Sequence, residues 1–181
     1  MFRTKIGAIV IALAAAACVK TGTVAEKQPV ASLAAYKTAQ LSVEVPGDMK
    51  NGEQQKVAFS SAISKRLKEK NIFTEVKPDG GDVAIKVKVT KVDGGNEALR
   101  GLGGANSGSA EVMVSIELAD ASAKSLGAFD VTGNSKKNAQ MSVGGVNTSA
   151  MEDATSKALD AAADEIAEFL SKKRGSERAP R

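Results

Sequence analysis

Few residues in this 181-residue chain have side chains that do chemistry readily. There is one cysteine, Cys18, and no histidine. Carboxylates are plentiful, but none of them falls into a spacing that suits a metal or a general acid and base. Asp79 lies in a Pro-Asp-Gly-Gly turn that Asp82 follows, and Asp160, Asp164 and Glu168 recur along what reads as the outer face of one helix. The other conspicuous stretch is "ALRGLGGANSGSAEV", residues 98–112, where Arg100 precedes a run of glycines. A Walker-type phosphate loop needs a Lys and then Ser or Thr after its last glycine, followed by a helix. No Lys follows here. Gly101 and Gly103 match the first part of a dinucleotide-binding turn, but position 106 is Asn and the next element reads as a strand. The glycines then serve a loop between two strands, with Arg100, Gly101, Gly103, Gly104 and, in a second Gly-rich loop, Asn147 as the residues placed to touch a ligand or partner.

Cys18 has a more specific setting. Arg3 and Lys5 form a basic start, Ile6 to Ala14 an apolar stretch, and Ala15 to Ala17 a run of small residues that ends at the cysteine. That arrangement is a signal peptide over residues 1–17, and its apolar stretch is too short for the roughly 20 residues a membrane-spanning helix needs. The junction resembles the lipobox of bacterial lipoproteins, in which the cysteine becomes the acylated N-terminus. The alternative is ordinary secretory cleavage nearby. Val19 and Lys20 lack the Asp that favours inner-membrane retention in enteric-type lipoproteins, which points to the outer membrane and its periplasmic face.

Loss of Arg3 and Lys5 lowers the basic residues from 25 to 23 against 21 acidic ones, so the formal charge drops from +4 to +2. With 3% aromatic residues and no basic patch interleaved with them, nucleic-acid binding is not expected. No cofactor or metal is implied, and the chain reads as non-catalytic.

The elements that position these residues follow from period and punctuation. Residues 18–37 show no sustained period and read as a lipidated tether. Leu41, Val43 and Val45 alternate in a strand that Pro46 stops, and Asn51 with Gln54 suggests a capping box for a helix whose Phe59, Ile63 and Leu67 share a face. A short strand near residues 72–76 precedes a long alternating one with Val83, Ile85, Val87 and Val89 inward and Lys86 and Lys88 outward, a solvated face. Val112, Val114, Ile116 and Leu118 mark a fourth strand, and Phe129 and Val131 a fifth. A second capping box at Ser149 and Glu152 opens a final helix to about Lys172, and residues 173–181 form a basic tail expected to be disordered. The order β-α-β-β-β-β-α predicts an α+β domain over residues 38–172, a two-layer fold with a mixed, mostly antiparallel five-stranded sheet and both helices on one face.

The stretch from Ala98 to Ser135, followed by a Gly-rich loop and an Ala-rich helix, resembles a family of small bacterial envelope lipoproteins known as domain of unknown function 4410, with Arg100, Gly101, Gly103, Gly104 and Asp120 matching its pattern. The layout also resembles envelope docking and assembly domains. The resemblance implies a membrane contact through the lipid and an envelope protein partner. A small-ligand or glycan-binding role for the loops at Arg100 and at Gly144 to Asn147 is the alternative, and a hydrolase using Ser and Asp is a third.

Overall fold

The computed structural model describes residues 22–94, 109–135 and 149–175. Six strands form one sheet: β1 (Gly22–Gln28), β2 (Thr38–Glu44), β3 (Glu75–Lys77), β4 (Val83–Asp93), β5 (Glu111–Asp120) and β6 (Ser125–Asn134). Two helices, α1 (Gly52–Glu69) and α2 (Ser149–Gly175), cover one face. The spatial order is β1-β6-β5-β4-β2-β3. The pairs β4–β5, β5–β6 and β6–β1 are antiparallel, while β2 lies parallel to both β3 and β4.

Alternation puts Val83, Ile85, Val87 and Val89 of β4 and Val112, Val114, Ile116 and Leu118 of β5 into the interior, as their period requires. Phe129 and Val131 of β6 join them, and Phe59, Ile63 and Leu67 close the layer from α1. The outer face of the sheet is polar. On its central rows Glu44 lies beside Lys88, and Lys88 beside Ser115, while Lys27 pairs with Asp130 at 2.8 Å. Neighbouring positions of opposite charge make this a solvated surface rather than a single-sign patch.

The sheet has six strands where five were expected. The additional one, β1, lies within residues 18–37, which read as a tether. Its inward positions are Gly22, Val24 and Glu26, so only one of the three is apolar and the period-2 signal is lost. Its place is secured instead by pairing with β6 and by Glu26, whose carboxylate accepts from Lys173 Nζ at 2.7 Å and from the Val30 amide at 3.1 Å. Beyond Pro29 the chain crosses the far end of the sheet with Val30 and Leu33 buried. α2 likewise runs past Lys172 to Gly175, held by Lys173 on Glu26 and by Arg174, which donates to the carbonyls of Tyr36 and Ile72. Residues 176–181 lie outside the described residues. Asn51 makes no side-chain cap, because its backbone is left-handed (φ 54°) and the first turn is instead entered through Gly52 N–H donating to the Met49 carbonyl at 3.0 Å. The capping box at Ser149 lies where side chains are not described.

α2 rests directly on backbone. Ala158, Ala161, Ala162, Ala163 and Ala167 are all buried, and Ala158 and Ala162 meet β6 where it carries Gly133. A Cβ at Gly133 would lie 2.7 Å from the Ala162 nitrogen and closer still to the Ala158 carbonyl. Alanine on one side and glycine on the other bring the helix axis unusually near the sheet, leaving no slack for a side chain. Gly133→Val should therefore lower stability by about 1–3 kcal/mol through overpacking. Gly47→Ala, in an open turn with nothing within 4 Å of the new methyl, should change it by less than about 0.5 kcal/mol. Thermal melts of the two variants check the contrast, and equal losses would show that the close approach is not the cause.

Candidate functional site

Cys18, Arg100, Gly101, Gly103, Gly104 and Asn147 all lie outside the described residues. The structure does place the points from which their segments emerge. β4 ends at Asp93 and β5 begins at Glu111, so residues 95–108 leave and return at one end of the sheet. β6 ends at Asn134 and α2 begins at Ser149, so residues 136–148 leave from the same end, where Glu111 pairs with Asn134. The two stems are tied together: Ser135 N–H donates to the Ala110 carbonyl at 3.0 Å, and Ala110 N–H donates to Ser135 Oγ at 2.9 Å. Both Gly-rich segments thus start from adjacent, fixed points. Beside them lies an open cleft of about 350 Å³ between the 45–51 turn and the end of β4, lined by Pro46, Met49, Lys50, Thr90, Lys91 and Val92.

The carboxylates that stood out in the sequence are accounted for by structure. Asp120 ends β5 and folds the next turn, its Oδ1 accepting from the amides of Ser122 and Lys124 at 2.9 and 3.0 Å. Asp160 and Asp164 do not merely face solvent. They meet Arg66 of α1, with Asp160 Oδ1 at 2.7 Å from one terminal nitrogen and Asp164 Oδ1 at 2.5 Å from Nε. Burial works against the charge of Arg66, but its hydrogen bonds and charge contacts with both carboxylates outweigh that cost and raise its pKa. The groove between the helices, about 750 Å³ and widely open, is bridged by this ion triplet. An arginine whose fork is already engaged by two carboxylates is a helix clamp, not a waiting anion site. Arg66 is inconspicuous in the sequence because it sits among five other charged residues from Lys56 to Lys70; its place three residues after the buried Ile63 is the signal that it borders the apolar face.

Asp82 makes a different closure. Residues 78–82 carry the chain from β3, on one side of β2, to β4 on the other. A Cβ at Gly81 would sit 2.6 Å from the Gln40 amide nitrogen, so the crossing touches β2 backbone. Asp82 Oδ2 then accepts from the amides of Lys37 and Thr38, both at 2.9 Å, while Asp82 N–H donates to Thr38 Oγ1 at 3.0 Å. The Thr38 amide first, and then the Lys37 amide, hold its pKa below the ordinary 3.8.

A carboxyl depressed on folding stabilises fully above its unfolded pKa, and that contribution is lost as pH falls through the folded value. Asp82→Asn should accordingly melt below the wild type at pH 7, and the gap should narrow as the pH is taken from about 5 to about 3. Melting curves across that range test it, and a gap that stays constant would mean that charge at Asp82 is not what holds the crossing.

Among the described residues, no three of His, Cys, Asp and Glu gather in a way that could hold a metal ion. No curated protein matches the sequence. Among solved structures, the PelC dodecamer from Paraburkholderia phytofirmans is similar in fold at 15% identity and a TM-score of 0.52, over 83% of this chain and 97% of that one. A minor lipoprotein from Acinetobacter baumannii is similar at 14% identity and a TM-score of 0.38, over 81% of this chain and 98% of that one. A family model matches residues 38–139, from the first residue of β2 to just beyond the stem of the second Gly-rich segment. With its Gly-rich segments rooted side by side on a mixed sheet, the chain belongs to the family described as a domain of unknown function, DUF4410.

Proposed function

We propose that this protein is a lipoprotein of the bacterial cell envelope, anchored by acylation of Cys18 on the periplasmic face of the outer membrane, and that it acts by binding an envelope protein rather than by catalysis. The observation that carries the reading is the junction at Cys18: a basic, apolar and small-residue leader ends at the only cysteine, and the first described strand begins at Gly22 just beyond it. Cleavage before Cys18 removes no described residue of the sheet. The non-catalytic part is supported by the work the notable charged groups already do. Arg66, Asp160 and Asp164 lock α1 to α2, Asp82 closes the crossing over β2, and Asp120 shapes a turn. A chain without histidine has no side chain that titrates near neutral pH at its ordinary pKa, apart from a cysteine consumed by the lipid.

Metabolic labelling with an alkyne fatty acid should mark the wild type and leave Cys18→Ser unmarked. The variant should move from the membrane fraction to the soluble or unprocessed one with an unchanged melting temperature. Unlabelled wild-type protein would overturn the anchor. Pull-down of the domain from envelope extract should retain a protein partner, and turnover of a generic ester or glycan substrate by the same preparation would count against the non-catalytic role.

A further inference from the structure

The register of β1 determines which end of the domain a lipid on Cys18 would hold against the bilayer. Gly22 pairs with Gly133 and Thr23 with Thr132, so the first residue of β1 lies at the end of the sheet where β2, β4 and β6 finish and β5 begins. α1 starts there, and α2 runs from that end to the opposite one, where Lys173 and Arg174 meet Glu26 and Tyr36. Cys18 is four residues before Gly22. Four residues reach at most about 14 Å even when fully extended. β4 alone, with its 11 residues, separates the two ends by about 34 Å.

We propose that the end of the sheet bearing the 45–51 turn and the stems at Gly94 and Ser135 is the membrane-proximal surface, seated on the phospholipid headgroups, while the Asp120–Lys124 turn and the C-terminal end of α2 project away from the bilayer. The proposal rests on acylation of Cys18. The reach of the link carries it: an acyl cysteine sits at the headgroup boundary, about 14 Å of chain keeps the near end within that distance of it, and the domain cannot stand on its far end without first pulling β1 from β6. Among the described residues of this end, Lys50 and Lys91 stand beside Asp48, Asp93 and Glu111, so these residues by themselves add no net attraction to anionic lipid, which is worth about 1 kcal/mol for each basic residue near the surface. The short link holds the surface down.

The full chain, purified with its lipid and reconstituted in phosphatidylethanolamine and phosphatidylglycerol vesicles, allows a direct test, because acylated Cys18 offers no thiol. Fluorophores placed through Gly47→Cys at the near end and Ser122→Cys at the far end report proximity to a quencher on lipid headgroups, and intact mass reports the acyl groups. Both substitutions are in exposed turns. The expected result is strong quenching at position 47 and little or none at position 122. Insertion of about twelve Gly and Ser residues between Lys20 and Thr21 should abolish the difference, since such a linker is a flexible coil. Equal quenching, or stronger quenching at position 122, in protein whose mass shows the acyl groups overturns the orientation and leaves the anchor standing. A difference that survives the linker overturns the short link as its cause. A mass without acyl groups overturns the anchor, and the orientation with it.

Discussion

The seating of α2 on bare backbone at Gly133 is the constraint from which most of this structure follows. A helix that buries alanines against a glycine comes closer to a sheet than one that packs through leucines, and at that distance its lateral position is fixed by contact rather than by fill. With α2 so placed, Phe169 stacks on Phe129 with ring centroids 4.4 Å apart. Gly22, the start of β1, must also lack a side chain, because a Cβ there would lie 2.5 Å from the Thr132 carbonyl oxygen of β6, with Glu165 of the same helix next at 2.7 Å. The same placement brings Asp160 and Asp164 within reach of Arg66, so α1 is aligned with α2 by charge as well as by the shared apolar layer beneath.

A second closure acts at the opposite side of the sheet. β3 and β4 both run parallel to β2, one on each side, and they are joined by only five residues. A connection so short has to pass over the end of β2 rather than form a crossover helix, which requires the bare backbone at Gly81 and leaves the start of β2 in need of acceptors. Asp82 provides them. Lys37, Thr38, Thr74 and Asp82 are drawn into one hydrogen-bonded knot, with Thr74 N–H donating to the Lys37 carbonyl at 2.8 Å.

Between these closures the molecule has two unlike ends. The far end is finished by a tight turn at Asp120, the crossing over β2, and the last turn of α2 pinned by Arg174. The near end carries the roots of both Gly-rich segments, the open cleft and the entry of the chain into β1. Functional variety on a fixed scaffold is concentrated in such connecting segments, and here they share their end of the sheet with the proposed point of attachment. A domain held in this way would present its far end and its polar sheet face to the periplasm.

Strands β4 and β5 were legible in the sequence because half of each faces a core and half faces water, so the period of two survives in the residue types. The apolar faces of α1 and α2 were legible for the same reason at a period near four. β1 was hidden because an edge strand held by backbone pairing, one valine and a Glu26–Lys173 ion pair needs little apolar content. Asp160 and Asp164 were visible as a helical row, but their partner sits roughly a hundred residues earlier in the chain, and only the packing of α2 beside α1 could show that the row is an ion-pair seam. The alternation of the long strands and the apolar stripe of α1 are local patterns, and the sequence by itself determined them. The sixth strand, the Arg66 clamp, the crossing at Asp82 and the meeting of β1 with the loop-bearing end depend on contacts between distant segments, which the tertiary structure alone decided.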